Sequence, residues 1–148
     1  MRAEVRDATP KMSVLKFCAA LAATLCLGLV STSQACDLRT LPGGHALLKP
    51  GAAMQLAYAT QPPKVESDKM FSVVIHLCSR QAIERITVDA HMPEHRHGMN
   101  YKPRMVQNPD GSYHATGFLF HMPGKWEFVF EVRADGEVER FSHAVMVE

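Results

Sequence analysis

From Trp126 to Arg133 the chain alternates strictly: Trp126, Phe128, Phe130 and Val132 interleave with Glu127, Val129, Glu131 and Arg133. Successive side chains of an extended strand point to opposite faces, so a period of two gathers the three aromatic rings and Val132 on one side. A face that apolar must be covered by a second layer, and with no helical period nearby that layer is another sheet. The same alternation runs from Phe71 to Cys78, where Phe71, Val73, Ile75 and Leu77 share a face. It returns from Arg85 to Met92, where Ile86, Val88, Ala90 and Met92 do. Shorter strand signals cover Met54–Thr60, Arg104–Gln107, Ser112–His121 and Val138–Val147. Turns separate them: Asn108-Pro109-Asp110-Gly111, Pro123-Gly124 and the hairpin dipeptide Asp135-Gly136. The pattern predicts an all-β chain, an immunoglobulin-like β-sandwich of about seven antiparallel strands. It occupies residues 54–148, after an irregular lead-in over residues 36–53 marked by Pro42-Gly43-Gly44 and Pro50-Gly51.

The N-terminus predicts the compartment. Lys11 and Lys16 precede an uninterrupted apolar run from Phe17 to Val30, and Ser33-Gln34-Ala35 follows with small residues where a signal peptidase reads. Residues 1–35 therefore read as a secretory signal peptide, with Met12 as an alternative start. The run falls short of the roughly 20 residues of a membrane span, and a permanent anchor helix is the rival reading. The leader takes Arg2, Arg6, Lys11 and Lys16 with it, and Glu4 and Asp7, so residues 36–148 are close to neutral. That balance gives no support to nucleic-acid binding. No later apolar run could span a bilayer, so the mature chain is expected to be periplasmic or secreted.

Of the four cysteines, Cys18 and Cys26 leave with the leader, and Cys36 and Cys78 remain in an oxidising compartment. A Cys36–Cys78 disulfide is the expectation. A lipidated Cys36, and with it a lipid-anchored form, is the rival, but Ser33 stands where a lipid attachment site usually carries Leu.

One stretch escapes the packing argument. His91-Met92-Pro93-Glu94-His95-Arg96-His97-Gly98-Met99-Asn100-Tyr101-Lys102-Pro103 holds three of the eight histidines and two of the nine methionines. It has no amphipathic period, and Pro93, Gly98 and Pro103 mark it as an ordered loop. Imidazole with thioether is the ligand chemistry of a transition metal, leaning towards copper, with zinc as the alternative. His95, His97 and Met99 are spaced by two and share a side in an extended chain, roughly 7 Å apart, so one metal requires the loop to curl. Gly98 is the expected source of that freedom. Asp89, Glu94 and Tyr101 are candidates to orient an imidazole. The tripeptide His-Met-Pro recurs at His121-Met122-Pro123. Consecutive hairpins reverse direction, and counting strands from Met92 puts both tripeptides at one end of the sandwich. The expected metal set is His95, His97 and Met99, completed by His121 or Met122. Met92 reads as core by parity. His45, His76, His91 and His114 read as solvated, and His143 as a core histidine with a partner.

Met92 to Tyr101 (Met-Pro-Glu-His-Arg-His-Gly-Met-Asn-Tyr), a strand ending in Phe120-His121-Met122-Pro123-Gly124, then Trp126 and an apolar strand, resemble the YtkA-like and FixH-like family. The resemblance runs from about Phe71 to the C-terminus. It implies an exported or membrane-anchored immunoglobulin-like domain, in some members linked to copper supply or to cytochrome oxidase assembly. FixH-like members keep an anchor helix, which residues 36–148 lack.

The leading expectation is thus a soluble periplasmic copper carrier or chaperone, delivering copper ion to a periplasmic or membrane metalloprotein. The alternative is a metal-free exported module that binds a protein partner through the same loop end. Catalysis is not expected. There is no Gly-x-Ser-x-Gly elbow, and Cys78 has no companion histidine at a telling spacing. A cupin would need Glu near where Tyr101 stands, and a copper brace a mature N-terminal His where Cys36 stands. The scattered histidines do not match a Cu/Zn superoxide dismutase.

Overall fold

The alternating segments become strands wherever one face can be buried. The computed structural model describes Leu38, residues 41–49 and residues 53–148. Within them lie nine strands and no α-helix: β1 (His45–Leu47), β2 (Met54–Gln61), β3 (Met70–Ser79), β4 (Ile83–Met92), β5 (His97–Gly98), β6 (Arg104–Gln107), β7 (Tyr113–Leu119), β8 (Gly124–Ala134) and β9 (Glu137–Val147). They form an immunoglobulin-like sandwich of two antiparallel sheets, one in the order β1-β2-β3-β7-β6 and the other β5-β4-β8-β9. The described residues belong to one compact unit, Gln34–Glu148. Among the described residues no helix is long and apolar enough to cross a membrane. The predicted signal peptide and Cys36 lie outside the described residues.

The two strands beyond the expected seven are short. β1 arises inside the predicted irregular lead-in, pairing His45, Ala46 and Leu47 with Tyr58, Ala57 and Leu56. β5 arises inside the predicted loop, pairing Gly98 with His91 and His97 with Met92. Neither is long enough to display a period; each exists because a longer strand offers it an edge.

The inner faces follow the predicted parity. Trp126, Phe128, Phe130 and Val132 are fully buried against Val73, Ile75, Ile86, Val88 and Ala90. Phe120 stacks on Trp126, with ring centres 4.2 Å apart and planes 9° from parallel. On the outer face of β4, His91 reaches Glu127 at 3.4 Å. His114, expected to be exposed, is half-buried, and its Nε2 has no hydrogen-bond partner among the described residues. Its strand β7 is flanked on both sides, by β3 opposite Val74 and by β6 opposite Val106, which covers it.

His143, expected in the core, is half-buried and has a partner. Its Nδ1 lies 2.7 Å from the Tyr58 hydroxyl. Burial raises the Tyr58 phenol well above its usual range, so the group stays an O–H. Burial, and then the neighbouring His45, lower His143 below the ordinary imidazole value, which favours the neutral ring with one protonated and one bare nitrogen.

At one end of the sandwich the chain twice passes from sheet to sheet. The segment between β5 and β6 crosses once, and Phe120–Pro123, between β7 and β8, crosses again. Cys78 sits at the other end: it pairs with Gln55 near the finish of β3, whereas the start of β3, Met70, pairs with Leu119 close to His121.

Candidate metal centre

The first half of the histidine stretch is a tight hairpin. Pro93, Glu94, His95 and Arg96 turn the chain between β4 and β5, the His95 amide donates to the Met92 carbonyl at 3.2 Å, and Arg96 takes φ of 55°. The curl therefore comes from Arg96, a position no sequence pattern flagged. Gly98 has a different part from the expected one. A Cβ there would meet the Ala90 carbonyl oxygen at 3.3 Å, so its missing side chain lets β5 lie close on β4.

β5 then sorts the ligand candidates by depth. His97 pairs with Met92 of the core face, so it points inward, and it is half-buried. Met99 follows two residues later on the same side, its amide bonded to the Ala90 carbonyl at 3.2 Å, and it joins the core cluster. His95 stays on the exposed turn, its ring centre 5.8 Å from that of His97.

The second crossing brings His121 to the same place. Its ring centre lies 5.0 Å from that of His97, with planes 35° apart. Both rings stand edge-on to the buried Trp126 indole, at 5.9 Å and 5.5 Å. The indole is fixed in turn: its Nε1–H donates to the Met122 carbonyl at 3.0 Å, which shapes the crossing that carries His121. Met122 is half-buried and packs on the edge of the core. Trp126 as the floor of this site was not among the predicted site residues, because its pattern is fully accounted for by core packing.

The nitrogens are disposed for a ligand. His97 Nδ1 is 3.2 Å from the Gly98 carbonyl oxygen. A carbonyl only accepts, so Nδ1 carries the proton in that contact and Nε2 keeps its lone pair. His121 Nδ1 is buried and has no hydrogen-bond partner among the described residues. Leaving such a group unsatisfied costs about 1–3 kcal/mol. An imidazole bound to a metal at about 2.0–2.1 Å has its ring centre about 3.2 Å from the ion, so two rings at a tetrahedral angle are about 5.2 Å apart. The His97–His121 separation of 5.0 Å fits that geometry. Among the described residues no three His, Cys, Asp or Glu side chains converge on one metal position. Two imidazoles are therefore the donors that the fold brings together, and Met122, next to His121 in the chain, carries a thioether. Of the groups expected to orient an imidazole, Asp89 is held instead by the Lys102 ammonium at 2.6 Å, and Glu94 and Tyr101 are exposed.

No protein-family model matches the sequence, and no curated protein is similar to it. Among solved structures, that of a DUF4426 family protein from Pseudomonas aeruginosa PAO1 is similar to this chain, with a TM-score of 0.51 and 16% identity, over 71% of this chain and 94% of that one. At that identity the likeness concerns the fold: both chains are small all-β domains.

Proposed function

We propose that this chain binds one copper ion between His97 and His121, with the Met122 thioether as third donor, and serves as an exported copper carrier. The observation that carries the reading is the meeting of His97 with His121, whose buried Nδ1 lacks a partner among the described residues. The donor types favour Cu(I). Thioether is a soft ligand suited to Cu(I), whereas a structural zinc site is closed by four nitrogen, sulfur or carboxylate ligands. Met99 belongs to the core cluster, and His95 stands on the exposed side of the turn, able to assist transfer of the ion to a partner metalloprotein. Export through residues 1–35 and membership of the YtkA-like and FixH-like group belong to the same proposal. The segment Met92–Tyr101 and the segment Phe120–Trp126 support it by sequence, and the sandwich fold agrees with it.

X-ray absorption at the copper edge of the Cu(I)-loaded protein tests the donor set. The reading expects two nitrogen scatterers near about 2.0 Å and one sulfur near about 2.3 Å. A sulfur-free shell would remove Met122 from the site. Failure to retain copper at all would hand the loop end to the alternative, a metal-free surface for a protein partner.

A further inference from the structure

The other histidine pair lies between the two sheets along their β1 and β9 edges. In the β1–β2 register His45 stands directly opposite Tyr58, so the two side chains share a face. His143 comes from the other sheet, on β9 opposite Phe128. The three rings converge: His45 to His143 is 4.5 Å between centres, and His45 to Tyr58 is 5.3 Å. His143 Nδ1 lies 2.7 Å from the Tyr58 oxygen and can donate its proton there, the tautomer that leaves Nε2 bare as the ligand nitrogen. Beside the rings opens a cleft of about 600 Å³, walled by Thr60, Val65, Phe128 and Met146 among others.

We infer that His45 and His143 form a second metal site, built of nitrogen donors, that takes a divalent ion of the Cu(II) type in the cleft beside Tyr58. Two imidazoles bound at about 2.0–2.1 Å and a right angle have ring centres about 4.5 Å apart, the separation found here. Square-planar and tetragonal nitrogen sites are those of Cu(II), and Cu(II) heads the affinity order of the divalent first-row metals. The cleft leaves room for water or a small ligand to complete the coordination. An anionic organic occupant is less suited, because the one ammonium lining the cleft, Lys64, is already paired with Glu148 at 2.9 Å. The site does not depend on the copper reading of His97 and His121, which lie at a different place in the sandwich and include a thioether.

Cu(II) alone, titrated into the full mature chain and followed by electron paramagnetic resonance, is the test. Three proteins are compared: the parent, His45→Ala, and His97→Ala with His121→Ala. His45 is exposed and sits on a short edge strand, so its replacement leaves the Tyr58–His143 bond and the core in place. The inference expects a Cu(II) signal with nitrogen hyperfine structure that persists in the His97/His121 variant and is lost in His45→Ala. Cu(I) binding to His45→Ala stays at the parent's level if the other site is right, so the two readings fail separately. A Cu(II) signal unchanged in His45→Ala, or absent from the His97/His121 variant, would overturn the second site.

Discussion

The imidazoles of His97 and His121 lie 5.0 Å apart although one stands on a two-residue strand of one sheet and the other on the crossing that leaves the opposite sheet. What holds them there is Trp126. Its indole is fully buried, stacks on Phe120, meets both imidazoles edge-on and ties down the Met122 carbonyl. Replacing Trp126 by Ala should cost about 3–5 kcal/mol of stability, as for other buried aromatics. Urea unfolding measures it, and a loss under about 1 kcal/mol would mean that the ring is not the core anchor described.

The two methionines near the site should separate by what they lose. Met99 is 9% exposed and part of the core cluster, so Met99→Ala should cost about 2–5 kcal/mol of stability. Met122 is only half-buried, and Met122→Ala should act chiefly on Cu(I) affinity, leaving stability closer to the parent's. Paired unfolding curves and Cu(I) titrations of the two variants check this; the reverse pattern would make Met99 the ligand.

The turn at the far end gives a pH prediction. The Ser112 hydroxyl and amide both donate to Asp110 Oδ1, at 2.6 Å and 2.9 Å, and these bonds, the hydroxyl's first, hold the Asp110 carboxyl below the usual carboxylate range. A carboxylate whose folded pKa is depressed adds stability above its unfolded pKa and loses it as the pH falls through the folded value. Asp110→Ala should therefore be less stable than the parent at neutral pH, with the gap closing below about pH 3.8. Thermal melts across that range test it; a gap that persists in strong acid would assign the effect to turn geometry alone.

The cysteine pairing is a separate expectation. A Cys36–Cys78 disulfide would tie the lead-in to the end of the sandwich away from the histidine loop, adding about 4 kcal/mol in the chain-entropy model. If the leader is removed as proposed, thiol titration of the unfolded, unreduced protein should find none free. Two reactive thiols, or a lipid mass on Cys36, would contradict it.

The sequence made the sandwich readable because its long strands are amphipathic. Trp126 to Val132, Phe71 to Leu77 and Ile86 to Met92 each bury the face their alternation names. β1 and β5 were illegible since three and two residues carry no period. The site was half legible. The repeated His-Met-Pro and the strand count brought His121 towards His97. The depth of each side chain, however, depends on Arg96 entering the left-handed region and on the close approach at Gly98. Neither leaves a mark in composition. The His45–Tyr58–His143 group was hidden for the same reason as β1. His143 shares the inward parity of Phe141, but its neighbour His45 joins it only through a three-residue strand.

The central claim is that His97 and His121 hold one copper ion together. A competition titration of residues 36–148 against a Cu(I) chelator, comparing the parent with His97→Ala, His121→Ala and the double variant, tests it most directly. Either single change should weaken Cu(I) binding by at least about tenfold, equivalent to about 1.4 kcal/mol, and the double change should abolish it. His95→Ala should stay within a few-fold of the parent. A double variant that binds Cu(I) as tightly as the parent would contradict the account.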